Sequence, residues 1–565
     1  MAYLIPFYSV CKGDMMPAST TGEDDTTAHC VTSRRAHREG WQMDIDASEL
    51  REECGVFGIW APGRDVSRMT YFALRALQHR GQDSAGIAVG NGKTVLVRKD
   101  LGLVTEVFKD EDLQAMQGRV AIGHCRYGTA GAKGWESSQP HLSAIGDVVI
   151  ALAHNGTLVN FDELRHELIE AGVPFRSDTD SEVAARLIGY FTHRTSHLSQ
   201  GIRRTMQMIE GGYAMVLVRE NALYAFRDPL GIRPLVLGRL DEDEWVVASE
   251  TCGLDIVGAT FVREVRPGEI LRISDGGFMS EEGLPQVSEA KCIFEEVYFS
   301  RPDSMQDGRS FYMVRHEMGR QLAREAPADV DLVTSVPDSG TPAAEGFAME
   351  LGLPFATGLI KNRYVARTFI APTQELREMG VRLKLTALSD VVAGKRVLIV
   401  DDSVVRGTTS RQIVRMLREA GATEVHMRSA SPEVVWPCFY GIDTATQDQL
   451  ISANKTVGEV REYIGADSMA FLSTEGLMKC VPPCGYCRAC FTGDYPVAIP
   501  RSFYEEKFLP GYEPRIAEPT SPAQQPATVE PTSAASQPAP VTRSAALEPT
   551  LIRPTPVGVG PAGRC

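Results

Sequence analysis

The sequence predicts two folded domains, an α+β domain of stacked antiparallel sheets covered by helices, followed by an α/β domain with a parallel sheet. Three observations support this division. The 565 residues exceed what a single hydrophobic core usually holds. Many short apolar strands and few helices precede about residue 285, and strands alternate with helices after it. We expect domains at residues 54–285 and 286–500, with extensions at residues 1–53 and 513–565.

Composition narrows the classes of function. Asp and Glu number 73 against 58 Lys and Arg, which disfavours a general nucleic-acid or anionic-membrane role. No apolar run approaches the roughly 18 residues of a membrane span. The first ten residues lack the basic start and cleavage site of a secretory signal. We therefore expect a cytoplasmic protein with no nucleic-acid or membrane partner, whose twelve cysteines are thiols, metal ligands or catalysts rather than disulfides.

The first domain begins, in this interpretation, with a strand at residues 52–59 and a helix near Thr70 to Gln78. Apolar runs typical of strands follow at Thr94–Val97, Val120–Gly123, Val148–Ala153, Ala214–Val218 and Trp245–Ser249. Helical patterns lie at Phe161–Glu170, Glu182–Tyr190 and His197–Ile209. Residues 1–53 are polar and irregular, and the chain beyond about Glu513 is rich in Pro, Ala, Thr and Ser. Both compositions predict disorder.

Four short segments of the first domain carry side chains suited to chemistry. They are Cys54-Gly55, Cys125 to Thr129, His154 to Thr157 and Ser177 to Ser181. Taken singly, each has an ordinary structural explanation, such as a small buried cysteine, a turn or a helix cap. In this order and spacing they resemble the class II glutamine amidotransferase domain, whose fold is the N-terminal-nucleophile hydrolase sandwich.

That resemblance implies a role for each residue. Cys54 would attack the glutamine amide after cleavage makes it the first residue. Its own α-amine, a group that ordinarily titrates at about pH 7.7–8.0, would act as general base. Asn155 and the backbone N–H of Gly156 would stabilise the oxyanion. A guanidinium fork suits the α-carboxylate of glutamine, and a carboxylate suits its ammonium group. The implied glutamine-binding residues are Arg126, Thr129 and Asp180.

The position of Cys54 requires processing of the chain. Because 53 residues precede the implied nucleophile, we expect residues 1–53 to be a propeptide removed by self-cleavage. Met43 is an alternative start that leaves a much shorter propeptide. The sequence leaves both starts open.

The second domain is organised around one strand and the turn after it. Lys395 to Val400 is an apolar, β-branched run that predicts a strand buried on both faces. Asp401 and Asp402 end it, Gly407 permits a tight turn, and a helix follows until Gly421. Backbone N–H groups at a helix start hold phosphate, and paired carboxylates suit sugar hydroxyls or a divalent cation. An adjacent Asp pair is also ordinary turn chemistry.

This segment resembles the phosphoribosyl-diphosphate (PRPP) signature of type I phosphoribosyltransferases. The implied PRPP contacts are Lys361, Arg363, Arg367, Asp401, Asp402, Ser403, Arg406, Gly407, Thr408 and Thr409. A second buried strand at Asp331 to Val336 precedes a loop that in this family meets the pyrophosphate, and Thr341 can cap the next helix. The implied Mg²⁺ ligands are Ser339, Asp401 and Asp402. The basic residues after position 360 form either a solvated loop or a flap that excludes water.

The cysteines supply a third candidate site. Four of them lie within eleven residues near the end of the second domain, at Cys480, Cys484, Cys487 and Cys490. This spacing favours metal binding and leaves zinc and iron–sulfur both open. Over roughly Cys54 to Pro500, the chain resembles the iron–sulfur-containing amidophosphoribosyltransferase family. That resemblance implies a [4Fe–4S] cluster on Cys292, Cys438, Cys487 and Cys490, with Cys480 and Cys484 as extra cysteines.

The resemblance also implies the reaction. Glutamine, water and PRPP would give 5-phosphoribosylamine, glutamate and pyrophosphate, the opening step of de novo purine synthesis. It further implies internal passage of ammonia between the sites, feedback inhibition by purine nucleotides and a homotetramer. One alternative is another class II glutamine amidotransferase, a class without the Asp401-Asp402 motif. The other is a non-catalytic PRPP- or nucleotide-sensing regulator, which the complete set of Cys54, Arg126, Asn155 and Asp180 disfavours.

Overall fold

The structure is a computed structural model of the chain. It describes residues 54–127, 134–362, 385–442, 444, 446–504 and 508, together with short strands at Tyr8–Ser9 and Arg515–Ile516. These residues all belong to one compact unit. None of the helices in these ranges is both long and apolar enough to cross a membrane.

The first domain contains most of the strands. They are β1 (Gly55–Trp60), β2 (Ser84–Gly90), β3 (Val95–Leu101), β4 (Val120–Arg126), β5 (His141–Ile145), β6 (Val148–Leu158), β7 (Gly211–Arg219), β8 (Ala222–Arg227), β9 (Val236–Asp241), β10 (Glu244–Ala248), β11 (Thr260–Glu264), β12 (Glu269–Ser274) and β13 (Gly277–Glu282). Its helices are α1 (Val66–Ala76), α2 (Val104–Val107), α3 (Asp110–Ala115), α4 (Phe161–Glu170), α5 (Asp180–Thr195), α6 (Leu198–Met206) and α7 (Thr251–Asp255), with 3₁₀ turns at Gln78–Arg80 and Trp135–Ser137.

Two antiparallel sheets stack face to face in this domain. One has the order Tyr8–Ser9, β3, β2, β4, β1, β10, β9, β11, and the other has the order β13, β12, β8, β7, β6, β5. Val56 points into the core between the sheets, while its neighbour Phe57 packs under α1, as alternate residues of a strand do. Leu187 on α5 and Met215 on β7 share a core on the outer face of the second sheet. The predicted antiparallel sandwich is confirmed.

The second domain alternates strands and helices. Its strands are β14 (Lys291–Cys292), β15 (Met305–Gln306), β16 (Arg309–Ser310), β17 (Leu332–Ser335), β18 (Leu359–Lys361), β19 (Leu385–Ala387), β20 (Arg396–Asp401), β21 (Glu424–Ser429), β22 (Ser468–Phe471), β23 (Tyr486–Cys487) and β24 (Asp494–Tyr495). Its helices are α8 (Phe311–Glu325), α9 (Thr341–Leu351), α10 (Ser389–Val392), α11 (Thr408–Glu419), α12 (Ile451–Asn454), α13 (Val457–Ile464), α14 (Thr474–Cys480), α15 (Ala489–Thr492) and α16 (Arg501–Tyr504), with a π-helical turn at Glu295–Phe299 and a 3₁₀ turn at Gln447–Gln449.

A four-stranded parallel sheet of order β17, β20, β21, β22 forms the centre of this domain. Val397 to Val400 on β20 are fully buried, as a continuous apolar run in an interior strand predicts. Helix α11 ends at Glu419, and Gly421 follows with a φ of 98°. Helix α9 differs from the sequence prediction in one detail. Gly340 is its N-cap residue, and Thr341 begins the helix with its hydroxyl 3.0 Å from that of Ser335.

The two domains share a hydrophobic core. Val159 and Ile232 of the first domain belong to the same buried cluster as Phe294 and Tyr440 of the second. The carboxyl ends of parallel strands meet at one edge of a sheet, which is where α/β proteins bind ligands. The fold therefore places one candidate site between the antiparallel sheets and another at the end of β20.

Candidate active site

The first candidate site begins at Cys54, immediately before β1. Strand β1 lies in the interior of its sheet between β4 and β10, and Gly55 pairs with Cys125. The thiol is half-buried. Burial raises the pKa of the Cys54 thiol, while a hydrogen bond from the backbone of Tyr127 and the charge of Arg126 oppose the rise. The expected nucleophile therefore lies beside the end of β4, which carries the expected carboxylate-binding arginine.

Asn155 lies on β6 in the other sheet of the sandwich. Its side chain is fully buried, and within the described residues neither its Nδ2 nor its Oδ1 has a hydrogen-bond partner. A buried polar group without a partner is costly, so such a group indicates a ligand. The next residue, Gly156, has a φ of 135°, and a Cβ there would lie 2.0 Å from the carbonyl oxygen of Gly212. Only glycine fits this position.

The residue before Asn155 is held on both backbone groups. Gln139 accepts a hydrogen bond from the N–H of His154 at 2.7 Å and donates one to its carbonyl oxygen at 3.2 Å. His124 Nε2 lies 3.0 Å from the same oxygen. Burial lowers the pKa of His124 to about 3, which keeps the ring neutral at pH 7. Sequence analysis did not identify Gln139 or His124, because no local pattern links them to His154.

Asp180 is the first residue of α5, and Thr179 is the N-cap. The Asp180 carboxylate accepts hydrogen bonds from the backbone of Leu158 at 3.0 Å and of Ser181 at 2.7 Å. Its charge acts on the Cys54 thiol, as does that of Arg126, so these three expected site residues lie close together. Thr179 therefore caps the helix, and its neighbour Asp180 is the residue expected to bind glutamine. Thr129 lies outside the described residues.

The second candidate site lies at the carboxyl end of β20. Asp401 accepts a hydrogen bond from the backbone N–H of Asp402 at 3.0 Å, and Asp402 accepts one from the Ser403 hydroxyl at 2.7 Å. Burial raises the pKa of Asp402, and hydrogen bonds from Ser339 and Ser403, together with the charge of Arg315, oppose the rise. The hydroxyl of Ser339, from the loop after β17, thus reaches the aspartate pair.

Helix α11 starts at this site. Its N-cap, Gly407, has a φ of 71°, and a Cβ there would lie 2.5 Å from Cδ1 of Ile451. Thr408 and Thr409 open the helix after Arg406. The N–H groups of this first turn have no intrahelical acceptors and can bind a phosphate.

Lys361 approaches from β18. Its Nζ lies 3.7 Å from Oδ2 of Asp338, in the same loop as Ser339. Arg363 and Arg367 lie outside the described residues, so the flap expected from the basic segment does too. The other expected PRPP contacts all belong to the described residues.

The four cysteines implied by the family resemblance lie together. Cys292 on β14 is the register partner of Cys487 on β23. Cys438 accepts a hydrogen bond from the backbone of Tyr440 at 3.4 Å. Burial raises the pKa of Cys490, and the charges of Cys487, Cys292 and Cys438 raise it further, which shows their proximity.

A buried cation faces this group. Burial lowers the pKa of the Arg233 guanidinium, but the charges of Cys292, Glu295, Cys438 and Cys487 outweigh burial and raise it. Cys480 and Cys484 have other partners, donating to Gly476 O at 3.2 Å and Asp307 Oδ2 at 3.7 Å.

The donor set fits a particular kind of metal group. Across the described ranges, no three His, Cys, Asp or Glu residues are arranged around a single metal ion. Four thiols beside a buried guanidinium suit a wider group that carries several irons and a net negative charge. The thiol donors present therefore fit an iron–sulfur cluster.

Comparison with known proteins gives two matching domain families. Residues 129–255 match the glutamine amidotransferase domain, and residues 303–429 match the phosphoribosyl transferase domain. The chain is 51% identical over 463 residues to the amidophosphoribosyltransferase of Synechococcus elongatus, covering 81% of this chain and 94% of the relative. It is 49% identical over 475 residues to that of Bacillus subtilis, covering 83% and 98%.

Solved structures give the same result. The chain is similar to the allosteric regulatory enzyme of purine biosynthesis, with a TM-score of 0.75 and 48% identity over 80% of this chain and 97% of that one. It is also similar to the glutamine PRPP amidotransferase of B. subtilis complexed with ADP and GMP, with a TM-score of 0.74 and 48% identity over 79% and 98%.

Proposed function

The chain belongs to the amidophosphoribosyltransferase family, and from this premise we propose how its residues divide the reaction between two sites. The protein is an enzyme that releases ammonia from glutamine and transfers it to C1 of PRPP, giving 5-phosphoribosylamine, glutamate and pyrophosphate. This is the first step of de novo purine synthesis. The observation that carries the assignment of the first site is the buried, unpartnered amide of Asn155 among the described residues.

The first site hydrolyses glutamine. The α-amine of Cys54 takes the thiol proton as the sulfur attacks the side-chain carbonyl carbon, and Asn155 Nδ2 and the Gly156 N–H donate to the resulting oxyanion. The carbon–nitrogen bond then breaks, the nitrogen takes a proton from the α-ammonium of Cys54, and ammonia leaves. Water hydrolyses the thioester to glutamate and regenerates the thiol. Arg126 and Thr129 bind the α-carboxylate end of glutamine, and Asp180 binds its ammonium group.

The second site joins ammonia to the sugar. The first turn of α11, at Thr408 and Thr409, binds the 5-phosphate of PRPP. Asp401 and Asp402 accept hydrogen bonds from the ribose hydroxyls. Ammonia forms a bond to C1 as the bond from C1 to pyrophosphate breaks, and the protein contributes positioning and charge rather than covalent catalysis. We assign Lys361, whose Nζ lies 3.7 Å from Oδ2 of Asp338, to the leaving group, and Ser403, Arg406 and Gly407 to the phosphate-binding turn.

Two cofactors are part of this proposal. Ser339, Asp401 and Asp402 would hold Mg²⁺ together with substrate oxygens, and the bound ion would supply positive charge to the departing pyrophosphate. Cys292, Cys438, Cys487 and Cys490, beside Arg233, would hold a [4Fe–4S] cluster. Iron with inorganic sulfide in anaerobically purified protein supports the cluster, whereas stoichiometric zinc without iron contradicts it.

Processing of the chain is a further part of the proposal. Cleavage before Cys54 is needed because a blocked nucleophile has no free α-amine to act as base. Domains at residues 54–285 and 286–500 are likewise part of the proposal. N-terminal sequencing of active enzyme tests the cleavage, and an uncleaved terminus on an active preparation contradicts it.

The finer biological setting is also proposed. We expect a cytoplasmic homotetramer inhibited by purine nucleotides, in line with the structural relative that was solved with ADP and GMP. Native mass spectrometry measures the subunit number. Titration of the PRPP-dependent reaction with AMP, ADP and GMP measures the inhibition.

One experiment separates the proposed function from its alternatives. Glutamine-dependent and ammonia-dependent consumption of PRPP are measured for the wild-type protein, Cys54→Ala and the control Cys480→Ser. We expect Cys54→Ala to lose only the glutamine-dependent reaction. Glutamine hydrolysis without use of PRPP indicates another class II amidotransferase, and the absence of both reactions indicates a regulator.

A further inference from the structure

A buried carboxylate of the second domain pairs with an arginine of the glutaminase domain. Glu295 lies in the π-helical turn Glu295–Phe299, and its two oxygens accept from Nη2 and Nη1 of Arg80 at 2.5 and 3.2 Å. The Ser300 hydroxyl donates to the same carboxylate at 2.5 Å. All three residues are almost completely buried. A bidentate pair of this kind fixes the direction of the guanidinium as well as its distance.

Arg80 belongs to a turn that touches both the nucleophile strand and the substrate-binding strand. A Cβ on Gly81 would lie 2.5 Å from the backbone carbon of Arg126, and a Cβ on Gly55 would lie 3.5 Å from Cβ of Arg80. The backbone of Asp83 donates to the carbonyl oxygen of Arg126 at 2.9 Å. A shift of this turn would therefore move the backbone on both sides of the candidate glutamine site.

We propose that Glu295 is a positioning residue for the glutaminase reaction, a second-domain carboxylate that holds Arg80 and its turn where Cys54 and Arg126 act on glutamine. This inference rests on the proposed roles of Cys54 and Arg126. A first-domain carboxylate, that of Glu250, also accepts from Arg80, at 2.5 Å from Nε. Arg80 is thus held by one carboxylate from each domain, Glu250 and Glu295. In this proposal the glutaminase site is complete only when the second domain contributes Glu295.

The turn that carries Glu295 is itself rigidly held. Arg315 on α8 donates to the carbonyl oxygens of Glu295 at 3.2 Å, Glu296 at 2.9 Å and Ser300 at 2.7 Å. Three carbonyls on one buried guanidinium fix the path of a π-helical turn, a geometry that often marks functional sites. The charge of Asp402 also acts on Arg315. The turn therefore contacts Arg80 of the first domain and Arg315 of the second.

The test compares two neighbouring glutamates of this turn. Glu295→Gln keeps the size of the side chain and removes the charge that binds Arg80, a charge that also lies 3.8 Å from Nη1 of Arg233. Glu296→Gln is the matched control, because that carboxylate accepts from Tyr486 at 3.2 Å, and burial raises its pKa to about 7. Initial rates are measured with glutamine and, separately, with ammonium as nitrogen donor, at varied concentrations of each donor.

We expect Glu295→Gln to lower glutamine-dependent kcat/KM by about ten-fold or more, with a raised KM for glutamine because Arg126 loses its support. Ammonia-dependent kcat should stay within about two-fold of wild type, since it needs only the second site. Ser300→Ala removes one hydrogen bond to the same carboxylate and should show a smaller effect of the same kind. Glu296→Gln should match wild type in both reactions.

Three results would overturn the inference. They are an unchanged glutamine-dependent reaction in Glu295→Gln, an equal loss of both reactions, and an equal effect of Glu296→Gln. An equal loss indicates a purely structural role for Glu295. Failure of the proposed function is distinguishable, because the wild-type protein would then lack one of the two reactions.

Discussion

At the scale of one residue, the first site depends on the buried side-chain amide of Asn155. Its amide is excluded from water, and no described residue satisfies it. Leaving a buried amide unpaired costs about 1–3 kcal/mol, so the fold tolerates a local loss of stability there. The oxyanion formed from glutamine would supply the missing acceptor for Nδ2. The hydrogen bond that the free enzyme lacks would thus form in the transition state and stabilise it.

Replacing Asn155 by alanine tests this assignment. We expect glutamine-dependent kcat to fall by about 10²–10³, the usual effect of removing one oxyanion donor, with ammonia-dependent synthesis unchanged. Asn91→Ala is the control, since that asparagine caps an exposed turn through the N–H groups of Lys93 and Thr94. Steady-state rates with both nitrogen donors provide the measurement. A glutamine-dependent rate near wild type in Asn155→Ala would exclude the oxyanion role.

The pH dependence of Cys54 follows from its surroundings. Burial raises the pKa of the Cys54 thiol, and the positive charge of Arg126 lowers it. Removing that charge in Arg126→Gln should raise the pKa further, so the thiolate forms only at higher pH. The rate of alkylation by iodoacetamide, followed by mass spectrometry between about pH 6 and 10, should shift to higher pH in the variant. A shift to lower pH, or none, would contradict this account.

At the scale of secondary-structure elements, the second site depends on the turn that connects β20 to α11. Strand β20 ends at Asp401, Asp402 follows it, and α11 begins after a left-handed glycine. In the proposed site, the carboxylates and the first turn of the helix bind one ligand from opposite ends of the same short turn. The geometry of Gly407 sets the distance between them.

Replacing Gly407 by alanine should damage PRPP binding specifically. Its Cβ would clash with Ile451 at 2.5 Å, and its φ of 71° adds about 1–2 kcal/mol of backbone strain. Gly352→Ala is a matched control, with a φ of 65° at the end of α9 and open space around the added carbon. We expect KM for PRPP to rise about ten-fold or more in the first variant only. Equal kinetics in both variants would contradict a role for the Gly407 turn.

At the scale of the whole molecule, the cysteine group connects the second domain to the glutaminase site. Cys292, Cys438 and Cys487 lie on three chain segments that are distant in sequence. Three residues after Cys438, a Cβ on Gly441 would lie 3.2 Å from Cα of Gly156. The segment that provides a proposed cluster ligand therefore packs directly against the proposed oxyanion site.

Loss of the cluster should loosen this junction. Metal binding contributes its free energy to folding, so Cys438→Ser should contain less iron and melt at a lower temperature than wild type. Cys480→Ser is the control, because that thiol is buried but donates to Gly476 O outside the group of four. Iron content and thermal melting under anaerobic conditions provide the measurement. Equal iron in wild type and Cys438→Ser would exclude Cys438 as a ligand.

Features that depend on a few neighbouring residues could be predicted from the sequence. The apolar run to Val400, the two aspartates and the glycine after them predicted strand, turn and helix correctly, because side-chain periodicity and φ preferences act over a few residues. The change of pattern near residue 290 predicted the second fold for the same reason. The order of short segments from Cys54 to Asp180 indicated the first domain family, which the comparisons confirm.

Contacts between residues far apart in the sequence depend on how the sheets and domains pack. Arg80 and Glu295 are 215 positions apart, and nothing in either local pattern predicts their ion pair. The same holds for Gln139 beside His154 and for Arg233 beside the cysteines. No local pattern encodes such contacts. They stabilise the fold only once the groups are buried, because water no longer competes for their hydrogen bonds. The motifs of the sequence indicated the residues proposed to act on the substrates. The residues that hold them in place, such as Glu295 and Gln139, were brought there by packing of the sheets and domains.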